Sequence, residues 1–448
     1  MTVFPKNFVW GAASSAYQIE GRSLADGGGA SIWDTFSHTP GKTFEGNTGD
    51  VACDSYAHPE RDLENLKAMG LRHYRFSTSW ARIEPKGDGT WNEQGLSYYD
   101  RVVDGCLSAG ITPYMTLYHW ELPQALEDRG GWLNADTAQA FGRFAGMMAE
   151  HFRGRVTHYF VLNEPQCSVA LGYGTGVHAP GKRSPWQQQF AAWKTMLLAY
   201  GLGAKAIREA DPAALVGIAT TGKLCYPRTE ADISAARQLT FRADHKDWGF
   251  NHGMFLDPVC FGRFPEDLDE ELNALCAAVT AEEMAVIHQT PDFLGFNIYN
   301  GWETEDTPSG PHWVSRYEGF PRTALKWPVT PEVLDWGPYF LWERYQKPCY
   351  ITENGLSCND VVSLDGQVHD PNRIDFLHRY LLCLGNAIAR GADIRGYFHW
   401  SLTDNFEWHS GYSERFGLVF VDYPTQTRSL KDSAAWYART VKENGAKL

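Results

Sequence analysis

Two glutamates stand at chemically suggestive places: Glu164 near the end of Thr157-His-Tyr-Phe-Val-Leu-Asn-Glu-Pro165, and Glu353 within Tyr350-Ile-Thr-Glu-Asn-Gly355. Each follows an apolar run and precedes residues that turn the chain, Pro in one case and Asn-Gly in the other. Two carboxyl groups that converge can divide the work of breaking a glycosidic bond. One donates a proton to the leaving oxygen while the other carries charge. Taken singly, either glutamate reads equally well as a strand-end acid held in a salt bridge. The fold must decide whether acids 189 positions apart share one pocket.

Apolar stretches that read as strands occur at Phe8–Ala12, Tyr74–Ser79, Pro113–Tyr118, Tyr159–Asn163, Leu215–Thr220, Phe293–Tyr299, Cys349–Glu353 and Gly396–Ser401. Most are continuous rather than alternating, as parallel strands covered on both faces require. Helical periodicity falls between them, at Pro59–Gly70, Leu96–Ala109, Thr137–Phe152, Trp186–Ala210, Pro331–Arg344 and Ile374–Arg390. The first carries Pro near its start, acids early and Gly at its end, which are start and stop signals. Eight strands with intervening helices predict a single (β/α)8 TIM barrel, one domain over residues 1–448. The connections Gly21–Asp54 and Thr221–Leu272 are too long for simple turns and are expected to build a pocket. Glu164 then ends the fourth strand and Glu353 the seventh, at the barrel end where chemistry is placed.

Seven motifs in order add a resemblance. They are Phe4-Pro-Lys-Asn-Phe-Val-Trp-Gly11, Tyr17-Gln-Ile-Glu-Gly21, Tyr74-Arg-Phe-Ser-Thr-Ser-Trp80, His119-Trp-Glu-Leu-Pro123, Asn163-Glu-Pro165, Ile351-Thr-Glu-Asn-Gly355 and Trp400-Ser-Leu-Thr-Asp-Asn-Phe-Glu-Trp408. Over nearly its whole length the chain resembles the β-glucosidases of glycoside hydrolase family 1. The resemblance implies a retaining β-glucosidase with Glu164 as acid/base and Glu353 as nucleophile. It implies β-galactosidase or β-fucosidase side activity, and that Arg75 and Tyr299 hold the nucleophile ionised and aligned. A catalytically silent sugar-binding protein on the same barrel is the competing reading, which retention of both glutamates disfavours.

A pyranose presents hydroxyls around its rim and C–H faces above and below, so its site needs branching polar groups and an aromatic floor. The resemblance assigns the polar groups to Gln18, His119, Asn163 and Glu407, and the platform and edge to Trp400 and Trp408. Trp120, Asn297 and Phe416 are further substrate-binding candidates, and Trp327 resembles an aromatic platform for the leaving group. Glu407 would repel a phosphate, so a glycone without a 6-phosphate is expected. Gln166 stands where many relatives carry Trp. It predicts a more hydrophilic aglycone wall, and with it transfer to sugar acceptors.

Other signals point to little. Gly201-Leu-Gly-Ala-Lys-Ala206 fits a loose dinucleotide pattern but lies within a helical stretch with no strand before it, so helix packing is expected. Fifteen histidines show no metal-ligand spacing, and paired-carboxylate hydrolysis needs no metal or cofactor. The formal net charge is −14, with no Lys/Arg run, which argues against a nucleic-acid partner. Nine cysteines without a C-x-x-C pair suit a reducing compartment. No signal-like N-terminus or bilayer-length apolar run is read, so a cytoplasmic protein acting on a small β-glycoside is expected, with no membrane partner and a homo-oligomer left open.

Overall fold

The computed structural model describes residues 4–448. Eight parallel strands close into a barrel: β1 (Val9–Ala13), β2 (His73–Ser77), β3 (Thr112–Thr116), β4 (His158–Asn163), β5 (Leu215–Thr220), β6 (Phe293–Asn297), β7 (Cys349–Asn354) and β8 (Ile394–Trp400). Each strand pairs with its neighbour in sequence, and β8 returns to β1 from Val9↔Gly396 to Ala13↔Trp400. The continuous apolar runs are explained by burial on both faces; every residue of β6 and β7 is buried.

Helices Pro59–Ala68, Glu93–Ser108, Asp136–His151, Trp186–Ala210, Val333–Tyr345 and Pro371–Ala389 form the surrounding layer. All six lie within a few residues of their predicted spans, and Trp186–Ala210 has the predicted ends. Gly201 lies in that helix against the Val286 carbonyl, where a Cβ would come within 2.0 Å. The loose glycine pattern is therefore a packing device, as expected. Further elements escape the periodicity argument: a sheet of Cys225–Pro227, Trp302–Thr307 and Gly310–Trp313, a hairpin of Val419–Asp422 with Thr427–Leu430, and helices Ile233–Phe241, Gly253–Phe261 and Asp432–Lys442. Among the described residues, no helix is long and apolar enough to cross a membrane.

The barrel interior is plugged by Tyr114, Phe160, Phe293, Tyr350 and Phe398, one ring from each of five strands. The guanidinium of Arg75 lies 5.1 Å from the Phe160 ring centroid, so polar groups begin where the plug ends. Near their C-terminal ends β4 and β7 break register, between Phe160 and Asn163 and between Ile351 and Glu353. Such irregularities re-aim side chains beside active sites, and these two fall on the strands that deliver the glutamates. Strands β2, β3 and β6 stop two residues before their predicted ends. The chain leaves the sheet there and carries His119, Trp120 and Tyr299 over the barrel mouth.

Candidate active site

Glu164 follows β4 directly, with φ 45° and ψ 62°, in the left-handed region. Its N–H donates to the Ala219 carbonyl at 2.8 Å, tying the turn to β5. Trp120 (φ 88°) and Trp408 (φ 50°) share this disfavoured backbone. Each such residue costs roughly 1–3 kcal/mol, held by surrounding structure, and all three face the same cavity.

The hydrogen bonds around the two glutamates differ in kind. Arg75 Nη1 donates to Glu353 Oε1 at 2.7 Å and Tyr299 Oη to Glu353 Oε2 at 2.8 Å. Arg75 Nη2 also donates to Asn163 Oδ1 at 2.6 Å, fixing that amide. Asn297 Nδ2 donates to Glu164 Oε1 at 2.6 Å and to Asn163 Oδ1 at 3.0 Å, while Thr352 Oγ1 donates to Asn297 Oδ1 at 2.6 Å. The thiol of Cys167 donates to Glu164 Oε2 at 3.0 Å. Only Glu353 therefore has a cation in direct contact.

Burial pushes both carboxyls up from their usual range. At Glu353 the charge of Arg75 and the hydrogen bonds from Arg75 and Tyr299 oppose it. At Glu164 the negative charge of Glu353 adds to burial and carries the group to about 8, against the lesser pull of Cys167 and Asn297. The proton of the pair thus rests on Glu164 and the charge on Glu353. Glu407 is also carried to about 8, by burial first and the charge of Glu353 second. Burial and the charge of Arg75 hold His119 neutral.

A cavity of about 490 Å³ is lined at its base by Glu164, Glu353, His119, Trp400 and Glu407. Gln18 lies just behind, Nε2 donating to Glu407 Oε2 at 3.3 Å with Oε1 held by Ser15 Oγ at 2.6 Å. Asn163 Nδ2 lies 3.2 Å from His119 Nε2, and Trp120 Nε1 donates to the Asn163 carbonyl at 3.1 Å. Trp400 lies nearly parallel to His119, centroids 5.7 Å apart, and Trp408 packs 4.5 Å from Trp120. Phe416 is buried behind Tyr299 and Trp327, at 6.1 and 6.0 Å from their rings. The structure thus places every predicted residue but one either on the cavity wall or, for Gln18, Arg75, Asn163 and Phe416, behind it with the side chain against a residue of that wall.

The exception is Gln166. It is fully buried, neither side-chain polar atom has a partner, and it does not line the cavity. The short helix Pro165–Val169 turns it away from the space that Cys167 and Leu171 face. The expectation of a hydrophilic aglycone wall built by Gln166 is therefore corrected. The half-open part of the cavity is mostly apolar, with Leu171, Val177, Phe250, Leu325 and Trp327. Sequence reasoning missed Cys167, His178, Val177, Phe250 and His409, which also line it. Only Cys167, on the first turn after Glu164, had a local signal. Of the two long connections, Thr221–Leu272 contributes Thr221, Gly222 and Phe250, whereas Gly21–Asp54 only backs the wall, through Trp33 at 4.5 Å from Trp408.

A parallel barrel with two buried carboxylates of unlike surroundings and an aromatic-lined cavity has the arrangement that glycoside hydrolysis requires. The family model "Glycosyl hydrolase family 1" matches residues 1–446, and the chain belongs to that family. It is 43% identical over 447 residues to "Beta-glucosidase A" of Thermotoga maritima, covering 99% of this chain and 98% of the relative. It is 40% identical to "Bifunctional beta-D-glucosidase/beta-D-fucosidase" of Bifidobacterium breve, covering 99% of each. The solved structure of Thermotoga maritima β-glucosidase with deoxynojirimycin superposes with a TM-score of 0.91 at 42% identity, covering all of both chains.

Proposed function

We propose that this chain, acting as one catalytic domain, hydrolyses terminal β-D-glucosyl residues of β-glucosides and short oligosaccharides by retaining double displacement. Glu164 protonates the leaving oxygen while ionised Glu353 attacks the anomeric carbon. Glu164, now charged, then takes a proton from water, which hydrolyses the glycosyl-enzyme. The observation that carries this reading is the asymmetry of the pair: Glu353 bonded to Arg75 and Tyr299, Glu164 without a cation. Asn163 Oδ1 accepts from both Arg75, which holds Glu353, and Asn297, which holds Glu164, so one short chain of hydrogen bonds joins the two carboxyls, as the separation of about 5–5.5 Å in retaining enzymes requires. In the second half-reaction Glu353 loses its charge to the glycosyl bond, and the force holding the proton on Glu164 falls with it.

In this reading Gln18, His119, Asn163 and Glu407 bind the glycone hydroxyls, and Trp400 supplies the platform. Glu407 has a neutral partner, Gln18, and no cation beside it, so this end of the site offers a phosphate no counter-charge and favours a glycone without a 6-phosphate. Glucose is the main glycone, with fucose and galactose as side activities. The relative from Bifidobacterium breve, named for both glucosidase and fucosidase activity, supports the first of these. The apolar mouth favours an aromatic or otherwise apolar aglycone over a polar one, with Trp327 as its stacking face. Transfer to sugar acceptors, expected from a polar Gln166 wall, loses its structural carrier.

The test is a leaving-group series. Glu164→Ala should retain cleavage of 2,4-dinitrophenyl β-glucoside, which needs no proton, and lose that of phenyl β-glucoside and cellobiose. Equal loss on all three substrates would remove Glu164 from the acid role.

A further inference from the structure

The surroundings of Glu164 contain one partner that the mechanism above leaves unused. Its Oε1 accepts from Asn297 Nδ2 at 2.6 Å, and its Oε2 lies 3.0 Å from the sulfur of Cys167. The Cys167 N–H donates to the Glu164 carbonyl at 3.0 Å, so the sulfur is held on the first turn after the acid. Cys167 is 8% exposed and lines the cavity beside Glu164.

The two partners behave differently when Glu164 changes protonation state. An amide N–H only donates, so Oε1 remains an acceptor in both states. The carboxylic proton must then sit on Oε2, beside the sulfur. A thiol is a rotor: it donates S–H to a carboxylate and, turned, accepts weakly from a carboxylic acid. It releases the carboxylic proton readily when a better acceptor enters the cavity. We propose that Cys167 is a positioning residue for the acid/base, its rotating thiol following both protonation states of Glu164 and keeping the transferable proton on Oε2. This rests on the reading of Glu164 as acid/base.

Hydrogen bonding to the charged form favours that form, and S–H is a weak donor. Burial and the charge of Glu353 hold Glu164 up near about 8, and the thiol draws it down only in part. The other groups facing Glu164 are Arg75 on β2, Tyr299 beyond β6 and Glu407 beyond β8, all present in every Cys167 variant.

The experiment is the basic limb of kcat/KM against pH for phenyl β-glucoside. Cys167→Ser supplies a stronger donor and should move the limb down; Cys167→Ala removes the donor and should move it up. Each shift should be about half a pH unit or more. Thermal unfolding of both variants monitors the fold. Limbs coincident with wild type in both variants would leave Cys167 as packing alone and overturn the inference. A limb that persists in Glu164→Gln, measured on 2,4-dinitrophenyl β-glucoside, would instead remove Glu164 as acid/base. Should a Cys167 variant fail to fold, the infrared S–H stretching band serves in its place. One thiol band should shift across the basic limb in wild type and stay fixed in Glu164→Gln; no shift in wild type overturns the inference.

Discussion

Replacing Tyr299 by Phe removes one oxygen from the site and little else. The ring keeps its contacts with Trp327, 5.1 Å away, and Phe416, so the wall is preserved. The lost group is the hydroxyl that donates to Glu353 Oε2 at 2.8 Å in a buried setting. A hydrogen bond to a charged group contributes about 1.5–3 kcal/mol. At 1.36 kcal/mol per pH unit, that corresponds to a rise of about 1–2 units in the proton affinity of Glu353. The sign is fixed by what the bond favours: without it the ionised form is less stable, so protonation sets in at higher pH. Attack requires the ionised form, so the acid limb of kcat/KM for phenyl β-glucoside should move up by about 1–2 units. Well below the wild-type limb, kcat/KM should fall roughly 10- to 100-fold further than at the optimum. Arg75 still holds Glu353, so the variant should remain folded and measurable at higher pH. An acid limb left in place would mean that Tyr299 does not tune the nucleophile.

Further perturbations separate the remaining roles. Glu407→Ser should lower kcat/KM for aryl β-glucosides by roughly two orders of magnitude, because a buried site built to bond hydroxyls loses its acceptor; it should also raise relative activity on the 6-phosphoglucoside, measured on the paired substrates. Phe250→Ala should cost roughly tenfold in kcat/KM on phenyl β-glucoside through lost apolar contact at the mouth, and less on cellobiose. Burial and the charge of Glu353 raise folded Glu164 to about 8 from an unfolded value near 4.5, so the unfolded chain binds fewer protons between those pH values. Stability should therefore fall as pH rises through that window, and Glu164→Gln, which cannot ionise, should have a higher Tm than wild type at pH 7–8.

Much of the barrel is legible along the chain because its signals are local. Buried parallel strands must be continuous apolar runs, and covering helices must repeat at 3.6, so Leu215–Thr220 and Trp186–Ala210 have the same ends in sequence and structure. The short strands at Trp302–Thr307 and Gly310–Trp313 were not legible. Trp302–Thr307 pairs with Gly310–Trp313 on one side and, on the other, with Cys225–Pro227 from the preceding connection, and only Thr304 of the longer strand is buried to mark a pattern. Gln166 shows the same limit at the site. Its position after Asn163-Glu-Pro165 is plain in sequence, but the turn of the short helix decides that its side chain faces inward.

The sequence by itself determined that two glutamates end the fourth and seventh strands of one barrel, with Arg75, Tyr299 and Glu407 in the order that a family 1 glycosidase requires. Strand order is enough for this, since parallel strands in a closed barrel present their C-terminal ends to one mouth. The resemblance already implied that Arg75 and Tyr299 serve Glu353; the tertiary structure decided the geometry that makes the two acids unequal and the partners of Glu164. Register breaks in β4 and β7 aim them, Arg75 and Tyr299 meet Glu353, and Asn297 and Cys167 meet Glu164. A proton's preference between two carboxyls depends on burial and on the charges and donors within a few ångströms, and those come together only when distant strands close the barrel.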